Sequence, residues 1–251
     1  MDEFRVDTHV KVLDEQVAER AKRRGLDAIV YAPHFRRLSE IRARAERFTD
    51  DELLVVPARE VFTGDWRNRK HVLAVGLSEP VPDFISLEGA LREFDRQGAA
   101  VLTPHPEFAT VSLESHDIRA HRERIHGIEV YNSKHLKSHN DRARELAQEF
   151  DLPAFGSSYA HMPRTVGEVW TAFEDHLETA DELITALKDG TPRRVFHRTG
   201  IEHRLRCSAE FVHLFYENTW KKVDRLFLSG TEPTHPNHIA YEGRFDDVSV
   251  Y

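Results

Sequence analysis

The 251-residue sequence has one cysteine, two methionines, no internal repeat and no long apolar run. With Cys207 alone there can be no internal disulfide and no thiolate cluster, so any bound metal must be held by nitrogen and oxygen. No stretch reaches the roughly 20 apolar residues that a membrane span needs. The N-terminal MDEFRVD is charged and holds no apolar stretch of signal-peptide length. A cytoplasmic protein without a membrane partner is therefore expected. Neither sign of charge dominates: 43 acidic against 35 basic residues leave a net charge of −8, which speaks against a dedicated nucleic-acid surface.

What is present is an alternation. Short apolar runs at 4–8, 27–32, 53–58, 71–77, 99–103, 127–131, 153–157 and 167–173 read as strands. Amphipathic helices are expected between several of them at 14–24, 37–48, 86–97, 134–150 and 178–189, three of these stopped by Gly25, Gly98 and Gly190. A β–α alternation of this kind is the mark of a parallel sheet or barrel, and 251 residues suit one large domain, since barrels of roughly 200–250 residues often fold as a unit. After Pro192 the character changes. The basic RRVFHRTGIEHRLR is followed by a helix-like stretch with Phe211, Leu214, Phe215 and Leu226 on one stripe. The division expected is a barrel over 1–200 and an extension over 201–251. The extension's helix is expected to pack on the barrel or against a second subunit, giving a homo-oligomer.

The polar residues fall at strand ends. His9 follows the first strand, His34 follows AIVYAP, Glu60 follows VVPAR, His105 follows AAVLTP, Asn132 follows GIEVY and His161 follows PAFGSS. In a barrel these carboxyl ends share one face, where active sites are built. His71 joins them if residues 61–70 turn back as a hairpin, for which Gly64-Asp65, Trp66 and Asn68 are the signals. The sequence holds 16 histidines, and a single one near a strand end is more often structural than a ligand; the ordered set is what carries the argument. His116, His121, His126, His135 and His139 are assigned to solvated helix faces. His235 and His238, in THPNH, resemble a chelating pair but sit in a turn-rich tail. In residues 4–15, FRVDTHVKVLDE, alternation along a strand points His9 and Lys11 the same way, which places a cation that can only donate hydrogen bonds beside a candidate ligand.

In order, DTHVK, YAPH, Glu60 with His71, TPHP, GIEVYN and GSSYAH resemble the motifs of the polymerase and histidinol phosphatase family, the PHP domain, over about residues 3–192. The resemblance implies a distorted (β/α)7 barrel of TIM type that holds up to three divalent ions and cleaves phosphate esters. It implies a bridging Glu60, with His71 and His105 completing one metal site. The other two sites are depleted. Lys11 stands where the family has the second histidine of HxH, Pro33 replaces the aspartate of TDH, and Tyr159 replaces the aspartate of the late SDAH-like motif. One broken site thus keeps His9 and Glu60, the other His34 and His161.

The expected function is a metal-dependent phosphoesterase acting on a small phosphorylated substrate with one to two divalent ions, zinc, manganese or iron. Lys11, His34 and His161 are the expected catalytic residues, and Lys11, Tyr159 and Asn132 the expected substrate contacts. The Lys11 ammonium would supply positive charge where an ion has been lost. Two other readings stand beside it: a catalytically silent barrel with 201–251 as a docking element, and an amidohydrolase-type barrel, against which the missing late aspartate at Tyr159 speaks.

Overall fold

The computed structural model describes residues 3–65, 68–108, 111–216 and 234–250. Nine strands form one sheet: β1 (Phe4–Val10), β2 (Ala28–Tyr31), β3 (Leu54–Thr63), β4 (Lys70–Val75), β5 (Ala100–Thr103), β6 (Gly127–Asn132), β7 (Ala154–Ser157), β8 (Val169–Phe173) and β9 (Arg193–His197). Their order across the sheet is β7-β6-β5-β4-β3-β2-β1-β8-β9. The sheet curls until β7 meets β1. There Val10 bridges Ala160 in parallel, Lys11 N donates to Ala160 O at 2.9 Å, and Thr8 Oγ1 donates to Gly156 O at 2.8 Å. The result is a distorted, nearly closed TIM-like barrel.

It is not all parallel. β1, β2 and β3 are parallel, as are β5, β6 and β7, but β4 runs antiparallel to both β3 and β5. The cause is the hairpin joining Thr63 to Lys70; Gly64 sits there at φ +77°, a conformation a side chain resists. Trp66, part of the expected turn, lies outside the described residues. β8 and β9 are antiparallel additions beside β1, and the basic run from Arg193 is an edge strand instead of a loop.

Helices α1 (Glu15–Arg23), α2 (Leu38–Phe48), α3 (Leu87–Gln97), α4 (Ser115–Ala120), α5 (Lys137–Glu149) and α6 (Ala180–Lys188) follow the strands, and α7 (Ile201–Tyr216) follows β9. Their starts are chemically marked. Asp14 accepts from Val17 N, Ser86 from Gly89 N, and Thr179 with Glu182 forms a reciprocal cap. One apolar cluster joins Phe4, Val30, Val56, Leu73, Leu102 and Phe155 to Leu183, Ala186 and Leu187 of α6, which plugs the barrel end opposite the histidines. Full burial of a side chain such as Phe155 contributes roughly 1.5–3 kcal/mol.

Helix α7 lies against the barrel through polar groups. Glu168, fully buried, accepts from Arg206 and His203 of α7, from Arg20 of α1 and from Arg24 just past its end, all at 2.9–3.0 Å. The outer face of α7 exposes Ile201, Leu205, Phe211 and Val212. Of the expected stripe, the side chains of Leu214 and Phe215, and all of Leu226, lie outside the described residues. Residues 234–250 return to the barrel, where Tyr241 and Phe245 join the core and Ser249 bridges Ile85. In THPNH, His238 Nδ1 accepts from Ala240 N at 3.1 Å and its Nε2 lies 2.9 Å from Arg37. Among the described residues no helix is long and apolar enough to cross a membrane.

Candidate active site

Glu60 is the centre of the barrel mouth. β3 continues to Thr63, so Glu60 lies inside a strand and not after one. Alternation puts it on the same face as Phe62, whose antiparallel partner is His71. The His71 ring stacks on Phe62 at 3.9 Å with planes 8° apart, which fixes its orientation. His9 is likewise within β1, and the sheet carries its buried ring to 4.7 Å from that of Tyr159. His105 follows β5 at φ +43°, and Tyr159 follows β7 at φ +47°. A non-glycine residue in the left-handed region costs about 1–3 kcal/mol, and such strain gathers at functional sites. Phe35, at φ +50°, turns the chain just after His34.

The two oxygens of Glu60 serve different neighbours. Oε1 faces His105 Nε2 at 3.0 Å, His71 Nδ1 at 3.4 Å and His9 Nε2 at 3.9 Å. Oε2 meets Lys11 Nζ at 2.5 Å and His34 Nδ1 at 3.0 Å, and the Lys11 ammonium also donates to Ala32 O at 2.7 Å. Burial alone would raise the Glu60 carboxyl, but Lys11 and the surrounding imidazoles outweigh it and hold the group well below the usual range. Burial pushes Lys11 down to about 8 against the pull of Glu60. It depresses His9, His34 (to about 3) and His71 as well, with Lys11 adding to the effect on His9 and His34. The centre is therefore an ionised carboxylate beside one lysine, with His9, His34 and His71 held neutral.

The proton positions show what this arrangement needs. Ser112 Oγ donates to Phe108 O, so its lone pair is left to accept from His105 Nδ1–H at 2.9 Å. His105 Nε2 then presents a lone pair to Glu60 Oε1, an acceptor against an acceptor. The buried His71 Nδ1 and both nitrogens of His9 make no hydrogen bond among the described residues. Glu60, His71 and His105 offer ligand atoms all within 4.8 Å of one another. Two nitrogen or oxygen ligands at about 2.1 Å from one ion, at right angles, lie about 3 Å apart. The donor set fits a divalent cation.

Behind the cluster is a second buried carboxylate that the strand pattern of GIEVYN had concealed. Glu129 accepts from His105 N at 2.9 Å, from Asn132 Nδ2 at 3.0 Å and from Ser157 Oγ, and burial raises it to about 7. Asn132, expected to touch substrate, spends its amide on Glu129 and on Lys134 N; it is a support at the back of the site. His161 lies across the mouth, its ring 5.7 Å from that of His34 and 4.9 Å from that of Tyr159. Its Nδ1 is 2.5 Å from Lys134 Nζ, and its backbone N–H donates to Glu210 of α7. Neither Lys134 nor Glu210 was anticipated. The supposedly solvated histidines also need correction: His135 stacks on Phe108 at 4.1 Å and His126 accepts from Val101 N, whereas His116 is exposed. The basic stretch after Pro192 is largely engaged, with Arg194 on Glu3, Arg198 on backbone carbonyls and Arg206 on Glu168 and Glu202.

A cleft of about 420 Å³ opens beside the cluster, lined by Lys11, Tyr31, Pro33, His34, Arg36, Arg44 and His161 among others. Lys11, His34 and His161 thus present themselves to one space, next to the Glu60 centre.

A family profile described as PHP-associated matches residues 137–192. Over 136 residues the chain is 31% identical to an uncharacterized protein of Methanocaldococcus jannaschii, a match covering 51% of this chain and 55% of that relative. The chain thus spans about half the length of that curated relative. Among solved structures, PsfC from Pseudomonas syringae is similar with a TM-score of 0.63 and 19% identity, over 87% of this chain and 100% of that one. A protein described as a candidate metal-dependent phosphoesterase from Bifidobacterium adolescentis is similar with a TM-score of 0.50 and 14% identity, over 63% and 88%. At such identities the likeness is one of fold.

Proposed function

Because a PHP-associated profile matches residues 137–192 and the barrel is of the same fold as its structural neighbours, we propose that this chain is a PHP-domain protein and a metal-dependent hydrolase of phosphate esters with a reduced metal complement. The observation that carries the reading is the Glu60, His71 and His105 group, in which a histidine lone pair is aimed at a carboxylate oxygen. A divalent ion held there supplies a water whose pKa is lowered from 15.7 toward about 7. Each residue of the chain then has a part. Glu60 divides its charge between that site and Lys11, so that the ammonium replaces a second cation on Oε2. Lys11, bordering the cleft, attracts and orients the phosphoryl oxygens. His34 and His161 line the same space and stand where a leaving oxygen needs a hydrogen-bond donor. The buried Glu129 fixes the His105 backbone. The name of the Bifidobacterium neighbour agrees in chemistry with this reading.

One observation favours the silent-barrel alternative: Lys11 already neutralises part of Glu60 at 2.5 Å, which weakens that carboxylate as a ligand. The two readings part on ion content and turnover. Full-length protein stripped of metal and reconstituted with zinc, manganese or iron is expected to retain one ion per chain, by elemental analysis, and to hydrolyse p-nitrophenyl phosphate. Zero retained ions together with no turnover establishes the silent barrel.

A further inference from the structure

Lys134 is the second lysine of the barrel mouth, and its surroundings are unlike those of Lys11. Its side chain is 1% exposed. The ammonium lies 2.5 Å from His161 Nδ1, 3.3 Å from Glu210 Oε2 and 4.2 Å from the centre of the Tyr159 ring. Glu210 arrives from α7 and is itself fully buried. Its Oε1 accepts from His161 N at 3.0 Å, from Met162 N at 2.9 Å and from the Thr165 hydroxyl. The helix therefore holds the loop carrying His161 and also balances the charge of the lysine that touches its ring.

A neutral imidazole carries one proton on one of two nitrogens. His161 Nδ1 has two close neighbours with opposite demands: the Lys134 ammonium, which can only donate, and Tyr159 O at 2.9 Å, which can only accept. An N–H at Nδ1 would point a proton at an ammonium. A lone pair there receives a charge-assisted hydrogen bond, roughly twice as strong as the neutral N–H to carbonyl bond it displaces. The ammonium prevails, and the ring proton goes to Nε2.

We propose that Lys134, held by Glu210 of α7, is a positioning residue that fixes His161 as the Nε2–H tautomer, so that the ring passes its Nε2 proton to the leaving oxygen while Nδ1 takes one from the Lys134 ammonium, and does not act as a metal ligand. This assignment of the acid rests on the phosphoesterase reading, whereas the tautomer itself does not. Without the ammonium, Tyr159 O would draw the proton to Nδ1 and leave a metal-binding lone pair at Nε2.

The tautomer is read directly by long-range proton–nitrogen correlation spectra of zinc-loaded, ¹⁵N-histidine-labelled full-length protein, with His161 assigned by its loss in His161→Gln. The wild type is expected to show a protonated Nε2 and a bare Nδ1, and Lys134→Met the reverse. Lys134→Met with Glu210→Gln, which leaves no buried charge unpaired, is expected to show the same reversal. Turnover adds a second readout. Hydrolysis of phenyl phosphate, whose leaving group needs a proton, is expected to lose about 10²-fold in kcat in both variants. Hydrolysis of p-nitrophenyl phosphate, whose leaving group needs little help, is expected to change little. A wild-type His161 protonated on Nδ1, or carrying zinc on Nε2, overturns the proposal whether or not the variants fold. So does a tautomer that the variants leave unmoved. Absence of turnover on either ester in the wild type counts against the phosphoesterase reading alone.

Discussion

Two carboxylates govern the barrel mouth, and they are satisfied in opposite ways. Glu60, from a strand of the barrel, faces four histidines. One oxygen is met by a lysine and by His34; the other lies 3.0 Å from His105 Nε2, 3.4 Å from His71 Nδ1 and 3.9 Å from His9 Nε2. Glu210, from the appended helix α7, is surrounded by donors: two backbone N–H groups, a hydroxyl and an ammonium. The first arrangement gathers the ligand atoms of a candidate cation site, whereas the second pairs a carboxylate with backbone N–H groups, a hydroxyl and an ammonium. Both carboxylates are buried; what separates them is the kind of group around each, and on the proposed function the first half of the mouth holds the ion and the second is scaffold.

The sharpest break of that contrast is Glu60→Gln. Ion content should fall from one per chain to none, and turnover by more than the roughly 10–100-fold that loss of a supporting residue costs. On the other side, Glu210→Ala should leave ion content unchanged but lower stability by about 3–5 kcal/mol in chemical denaturation, since it removes one side of a buried ion pair. Equal loss of metal in both variants would erase the distinction. Lys11→Met should reduce turnover by about 10²–10³-fold with the ion retained. Lys11→His combined with Tyr159→Asp should raise ion content above one, measured by elemental analysis.

A smaller effect concerns how α7 is fastened. Although burial pushes the Glu168 carboxyl up, His203, Arg24 and Arg206 hold it below its ordinary value. A depressed folded pKa means stability that is present above the unfolded value, ~4.3, and lost as pH falls through the folded one. Glu168→Gln should therefore cost about 1–3 kcal/mol at neutral pH, by urea denaturation, and the gap from wild type should close in acid. The smallest expected effect is a near absence of one. Burial raises the Cys207 thiol to about 11, so iodoacetamide should modify it about two orders of magnitude more slowly than an ordinary thiol at neutral pH. Ordinary reactivity would mean that α7 does not stay docked.

The barrel was legible because its strands are buried on both faces and so read as apolar runs, and its helices are punctuated by Gly25, Gly98 and Gly190. β9 was not, because a half-exposed edge strand tolerates the two arginines of RRVFH. His34, His105 and His161 fall just after strands, as the strand-end rule expects, whereas His9 and Glu60 lie inside strands and His71 near the start of the antiparallel β4, where the hairpin signal and not the rule located it. Lys134 and Glu210 meet across a long stretch of chain, and nothing in NSKH or SAEF marks a partner. Asn132 shows the limit of the strand-end rule: it gives position but not the direction in which an amide is spent.

The seam between β1 and β7 bears on the order in which the molecule can be made. Residues 10 and 160 must meet before His9 and Lys11 share a space with Tyr159 and His161. Closing a loop of about 150 residues costs roughly 2.4 kcal/mol more than closing one of about 10. Contacts of such separation also slow folding. Glu60, His71 and His105 lie on neighbouring strands and can gather early, but a chain still emerging from the ribosome lacks the seam, and until α7 follows it also lacks Glu210. On the proposed function, metal capture can thus precede catalytic competence during synthesis, since the three candidate ligands arrive well before the residues that would act beside them.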